Sequence, residues 1–144
     1  VSLALIREAR YVENIEIWTE AVEQNCRQKV QERIAGDFTL ELRILGLNAT
    51  LGAQDVNAQI GTEVGVLGIV TAPSAMVAKE VAKMLNPYLL HMPLTEDEEM
   101  PTFAFPFSPN EMNRGEIYEF CLNHVMELDD PMQAFSLTIE QVRA

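Results

Sequence analysis

A chain of 144 residues is about one domain long and can bury a core without disulfides or a metal. Its composition, 48% hydrophobic and 22% charged, is that of a folded globular protein and argues against intrinsic disorder. The net charge of −12, from 10 basic and 22 acidic side chains, argues against nucleic acid or an anionic membrane surface as direct partners, since both demand cations.

No apolar run approaches the roughly 20 residues that span a bilayer, and no basic segment leads into an apolar one as in a secretory leader. A cytoplasmic location is therefore expected. The chain enters directly at Val1-Ser2-Leu3-Ala4-Leu5-Ile6, which reads as the middle of a longer chain or the product of cleavage, and residues 1–144 are expected to be a single domain. Cys26 and Cys121 lie far apart, each in a segment with an apolar side, and are expected to be buried free thiols, with a disulfide as the alternative. There is no C-x-x-C, and His91 and His124 are also far apart, so neither a metal nor another cofactor is expected.

The first predicted element is a helix from about Glu13 to Ile34. Ile15, Trp18, Val22, Cys26, Val30 and Ile34 recur at spacings of three and four and form one apolar stripe. Glu13, Glu16, Glu20 and Glu23 occupy its first half and Arg27, Lys29 and Arg33 its second, which suits the helix dipole at both ends. Gly36 stops it. A strand follows, with Phe38, Leu40, Leu42 and Ile44 on one face and Thr39, Glu41 and Arg43 on the other, ending at Gly46. Residues 47–61 lack apolar periodicity and read as a long loop. Glu63 to Thr71 is nearly continuous apolar sequence, consistent with a central strand buried on both faces.

Pro73 and Ser74 open a second helix with Val77, Val81, Met84, Leu85 and Tyr88 on its apolar face, ending near Leu90. Together with Phe103-Ala104-Phe105 as the next strand, this predicts a βαβ crossover. The acidic run Thr95-Glu96-Asp97-Glu98-Glu99 between them reads as a solvated loop. Ile117 to Leu128 alternates, with Tyr118, Phe120, Leu122, His124, Met126 and Leu128 on one face, and breaks at Asp129-Asp130-Pro131. Phe135 to Val142 reads as a closing strand with Phe135, Leu137 and Ile139 on one side. The expected fold is α+β, a mixed sheet of about five strands with two main helices packed on it.

A set of segments carries a resemblance. Ala9-Arg10-Tyr11-Val12-Glu13-Asn14-Ile15, Val70-Thr71-Ala72-Pro73, Leu89-Leu90-His91-Met92-Pro93, Phe103-Ala104-Phe105-Pro106-Phe107-Ser108-Pro109 and the run from Tyr118 to Pro131 occur in this order over most of the chain. The series resembles the C-terminal region of the acyclic terpene utilisation protein A family, a domain of unknown function. The resemblance implies a larger cytoplasmic bacterial protein, connected with catabolism of branched or terpenoid acyl compounds. It also implies a site shared with an N-terminal part that this chain lacks. It carries over no catalytic residues.

None of the chemistry-bearing residues forms a catalytic constellation. His91 falls at a helix C-terminus, where a dipole role competes with that of an acid or base. His124 alternates onto an apolar side as a core histidine. Ser108 lies outside any G-x-S-x-G elbow and reads as a turn residue, and Cys121 has no basic neighbour to activate it. Asp129 and Asp130 are accounted for by turn chemistry before Pro131. The segment from Gly46 to Gly52 lacks the Lys and Ser/Thr of a phosphate loop. Asn48, Thr50 and Gln54 nevertheless offer neutral hydrogen bonds just past a strand end, where ligand crevices form, and with His91 and Arg114 they make up the candidate ligand-binding set.

Two functions remain. One is an enzyme half or substrate handler for branched or terpenoid acyl compounds, with the remainder of a longer chain or a partner subunit completing the site. The other is an association module, including a homo-oligomer. The Phe103–Phe107 segment serves either, as an acyl-pocket wall or an interface, unless it is simply core. Convergence of the 47–61 loop with His91 and Arg114 on a cleft favours the first, and an exposed apolar patch without a cleft favours the second.

Overall fold

The computed structural model describes residues 1–54, 59–118, 125 and 127–141. Cys121, His124, Val142, most of the alternating run over 117–128 and residues 55–58 of the long loop lie outside the described residues.

The chain opens with a strand, β1 (Ser2–Ile6), in which Ser2, Ala4 and Ile6 are buried and Leu3 and Leu5 half-buried. Apolar residues on both of its faces hide the alternation from the sequence. The predicted first helix is two helices. A short α1 (Ala9–Glu13) stops at Asn14, whose side-chain amide donates to the Arg10 carbonyl at 2.9 Å. The long α2 (Ile15–Gln31) follows, and Ile15, Trp18, Val22, Cys26 and Val30 of its predicted stripe are buried, while Ile34 lies past its end and is half-buried. Along its flank Arg27 pairs with Glu23 one turn earlier.

Gly36 (φ +136°) leads out of the turn after α2 and into β2 (Thr39–Leu45), where Leu40 and Ile44 are buried as predicted. Gly46 takes φ +95°, the left-handed turn that a β-carbon would resist, and ends the strand. β3 (Val64–Thr71) is the central strand that its apolar run predicts. It is covered on one face, however, and only half-covered on the other. In α3 (Ala75–His91) the Ser74 hydroxyl caps the first turn by accepting from the Val77 amide at 3.2 Å.

Among the described residues the sheet has three strands in the order β1-β3-β2, all neighbours antiparallel, rather than about five strands in a mixed sheet. The predicted strand at Phe103–Phe105 is cut to a single antiparallel bridge between Ala104 and Leu5, with hydrogen bonds of 2.8 and 3.2 Å. Because Ala104 runs antiparallel to β1 and β1 runs antiparallel to β3, the predicted crossover β3-α3-Ala104 is present, with β1 lying between its two ends. β1-α2-β2 is its twin, enclosing β3. Two interlocked split βαβ units make the ferredoxin-like plan, with the fourth strand reduced to one bridge.

The closing strand expected over 135–142 does not form across 135–141, and the described residues of 117–128 are outside any strand. The reason lies in the sheet edges. On the outer side of β1, Leu5 is bonded to Ala104, the Leu3 amide to the Asn110 Oδ1 at 3.4 Å, and the Val1 carbonyl to the Met112 amide at 2.8 Å. On the outer side of β2, the Arg27 guanidinium donates to the Leu40 carbonyl, and Asn48 closes on Ile44 through side chain and backbone. A period-two segment becomes a strand only where an edge accepts it, and these contacts take up much of both edges.

Helices α2 and α3 cover the face formed by Ser2, Ala4, Ile6, Leu40, Leu42, Ile44, Val64, Val66 and Gly68. Gly68 is where α3 comes closest, since a β-carbon built there stands 2.3 Å from the Leu85 Cδ2. Tyr11, Trp18 and Phe103 meet edge-to-face at centroid distances of 4.9–6.3 Å and close the core where α1 meets α2.

Candidate functional site

β2 leaves the sheet at the end where Leu45 stands opposite Gly65 and Leu5. Asn48 lies there, half-buried. Its Oδ1 accepts from the Ile44 amide at 3.2 Å, while its backbone N–H donates to the Ile44 carbonyl at 3.0 Å. The side-chain oxygen predicted to meet a ligand thus finishes the edge of β2, bonding back to the backbone four residues earlier. Thr50 and Gln54 sit exposed on the following turns, around a short 3-10 segment (Gly52–Gln54).

His91 ends α3 at the same end of the sheet but by the β1 edge, with its Nδ1 3.0 Å from the Pro101 carbonyl. The width of the sheet, about 10 Å between the outer strands, separates it from Asn48. Arg114 is exposed two residues past Met112, which pairs with Val1 at the far end of β1. The structure therefore brings Asn48, Thr50 and Gln54 into one loop and leaves His91 and Arg114 apart from it and from each other.

The turn after α3 is fixed by residues that motif reasoning did not single out. The Tyr11 hydroxyl accepts from the Leu94 amide at 3.2 Å and donates to the Glu98 carboxylate at 3.4 Å. Arg10 forms an ion pair with the same carboxylate, and the Trp18 indole donates to the Met92 carbonyl at 2.9 Å. Burial, then the neighbouring Glu98 charge, pushes the Tyr11 hydroxyl above its ordinary pKa, so it stays a donor. Of the acidic run, Glu96, Asp97 and Glu99 are exposed as expected, and Glu98 alone turns in. Buried Asn110 ties the return path by bonding Leu3 and Asn86, and Asn86 in turn bonds Glu111. An Asn directly after Pro109 was the available signal for such a turn.

Two depressions mark the described surface. One of about 450 Å³ lies outside β1, with Leu5, Phe103 and Ala104 as its apolar floor and Arg7 and Glu8 at its rim. The other, about 180 Å³, lies between α2 and the end of β2, lined by Glu16, Thr19, Glu20, Glu23, Leu42, Ile44 and Asn48. Both are open. Among the described residues no three His, Cys, Asp or Glu side chains are grouped to hold one metal ion, and no helix is long and apolar enough to cross a membrane.

Comparison with protein-family models, curated proteins and solved structures returned no match. The chemistry therefore rests on this chain's own surface. Its most unusual feature is apolar exposure past the folded body. Phe135, Leu137 and Ile139 are 71%, 80% and 82% exposed, and Ile117, Tyr118 and Val125 stand out to a similar degree. Side chains of this size in one stretch of sequence, away from the core, form what an association surface is made of.

Proposed function

We propose that this domain is a homo-association module whose docking element is the stretch 135–141. The observation that carries this reading is the exposure of Phe135, Leu137 and Ile139, which alternate with Ser136, Thr138 and Glu140 along the sequence. Leaving such side chains in water forgoes about 1.5–3 kcal/mol for each that a partner fully buries. The dispersal of Asn48, His91 and Arg114 supports the same reading, since nothing gathers them around a common ligand. Sedimentation velocity on the intact chain and on a Phe135→Asp/Leu137→Asp variant tests it. Mass that rises with concentration in the parent and not in the variant supports association through this stretch. A parent that stays monomeric across the micromolar range contradicts it.

The second reading has one observation in its favour. Handling of branched or terpenoid acyl compounds, which the family resemblance implies, is supported by the 450 Å³ depression, whose apolar floor and Arg7 rim suit an acyl chain and its carboxylate. A thermal-shift titration with acyl-CoAs and terpenoid acids tests it. A rise in melting temperature that Arg7→Ala abolishes would support this reading. No rise with any of them would remove it for this domain alone.

A further inference from the structure

The helices cover one face of the sheet and, among the described residues, no helix covers the other. Across it the register sets rows of Leu5, Gly65 and Leu45, then Leu3, Leu67 and Arg43, then Ile69 and Glu41, and finally Thr71 and Thr39. Leu3, Leu5, Leu67 and Ile69 are half-buried side chains with no helix above them, and Leu3 and Leu45 lean over Gly65 from either side. The apolar half of this face follows β1 and β3, and its polar half follows β2. Of the chain's 22 acidic residues, the strands put one here, Glu41, and Arg43 neutralises it through contacts of 2.7 and 3.2 Å. In a molecule of net charge −12, this face is therefore one that a second copy can approach with little local repulsion.

We infer that the open sheet face is the acceptor for the 135–141 stretch of a second copy, in a reciprocal dimer. This rests on the association reading above and names the surface it uses. The stretch alternates apolar and polar side chains and Phe135 itself is extended, a pattern that in an extended segment presents one apolar side to a pleated apolar face. Addition to a sheet edge is disfavoured, because Ala104, Asn110 and Met112 occupy the β1 side and Arg27 and Asn48 guard the β2 side. Area points to a whole second chain rather than a small ligand. The face has a footprint of roughly 15 by 20 Å, well short of the ~800 Å² per partner of a stable interface. The exposed side chains of Phe135, Leu137 and Ile139 add apolar area to it on each copy. Because donor stretch and acceptor face lie on one chain, two copies satisfy each other in a closed, two-fold arrangement.

The test uses the intact chain with a face variant, Leu67→Lys, and the stretch variant, Phe135→Asp/Leu137→Asp. Each alone is expected to weaken the dimer at least tenfold. An equimolar mixture is expected to form a heterodimer more tightly than either variant pairs with itself. In that mixture the intact stretch of the face variant meets the intact face of the stretch variant. Circular dichroism confirms folding, and Ile69→Thr replaces Leu67→Lys if the latter unfolds. A stretch variant that breaks the dimer while both face variants leave it intact would overturn the inference and spare the association reading. A parent that is monomeric at every concentration would overturn both. Variants that both dissociate but show no recovery on mixing would overturn the reciprocal arrangement.

Discussion

Gly68 controls how closely α3 lies on the sheet, and Gly68→Ala with Leu85→Ala tests this packing quantitatively. A β-carbon at position 68 stands 2.3 Å from the Leu85 Cδ2 and 3.5 Å from the Leu42 Cδ2, so the Leu85 side chain must shift by more than 1 Å. Leu85 is fully buried, and such overpacking costs about 1–3 kcal/mol. Removing a strand glycine returns about 0.5–1 kcal/mol of backbone entropy, which leaves a net loss of about 1–2 kcal/mol. Leu85→Ala alone costs about 2–5 kcal/mol through lost burial and the cavity it leaves. In that background, however, the added methyl finds space, and Gly68→Ala becomes neutral or stabilising by up to about 1 kcal/mol. The expected coupling is about 2 kcal/mol, well outside additivity. Urea titrations of all four proteins, followed by the fluorescence of the single, buried Trp18 at low protein concentration, measure it. Equal losses with and without the Leu85 side chain would refute this account of the helix–sheet contact.

Burial pushes the Cys26 thiol up from 9.0 to about 11. The thiol is held neutral in the fold while the unfolded chain ionises, so its contribution is intact below about pH 9 and is lost as pH rises toward about 11, by some 2–3 kcal/mol. Stability of the parent should therefore fall more steeply over that window than that of Cys26→Ala, and parallel pH profiles in urea would contradict the assignment. Asn48→Ala strips the Ile44 amide of its partner and should cost about 1 kcal/mol in thermal unfolding, whereas Asn48→Asp keeps the acceptor and should stay near the parent. Equal losses for the two would show that the edge contact is not what Asn48 contributes.

The α2 stripe, β2, the central β3 and α3 were legible because each has one face in the core, so burial writes a period into the sequence. Three features were not. β1 is apolar on both sides and only five residues long, so Ser2, Ala4 and Ile6 do not stand out against Leu3 and Leu5. The stop at Asn14 depends on its side chain reaching the Arg10 carbonyl, and the helical spacing runs through it unbroken. The 135–141 alternation is real in the sequence, yet a strand needs a free edge, and much of both edges is taken up by residues as remote as Arg27 and Asn110.

The candidate site shows the same limit. Asn48 carried the right functional group for a ligand and spends it on its own strand, which only the Ile44 contact could reveal. Tyr11 and Glu98, which fix the turn after α3, lie 87 residues apart and share no motif.

Hydroxyl-radical footprinting of the intact chain at rising concentration tests the association most directly, because it reads side-chain exposure at Phe135, Leu137 and Ile139 themselves. The account predicts rapid oxidation of all three at dilution and a severalfold drop once the chain associates, with exposed Met76 on α3 unaffected as the internal reference. Oxidation that stays rapid at every concentration, while the measured mass remains that of one 16.2 kDa chain, would contradict it.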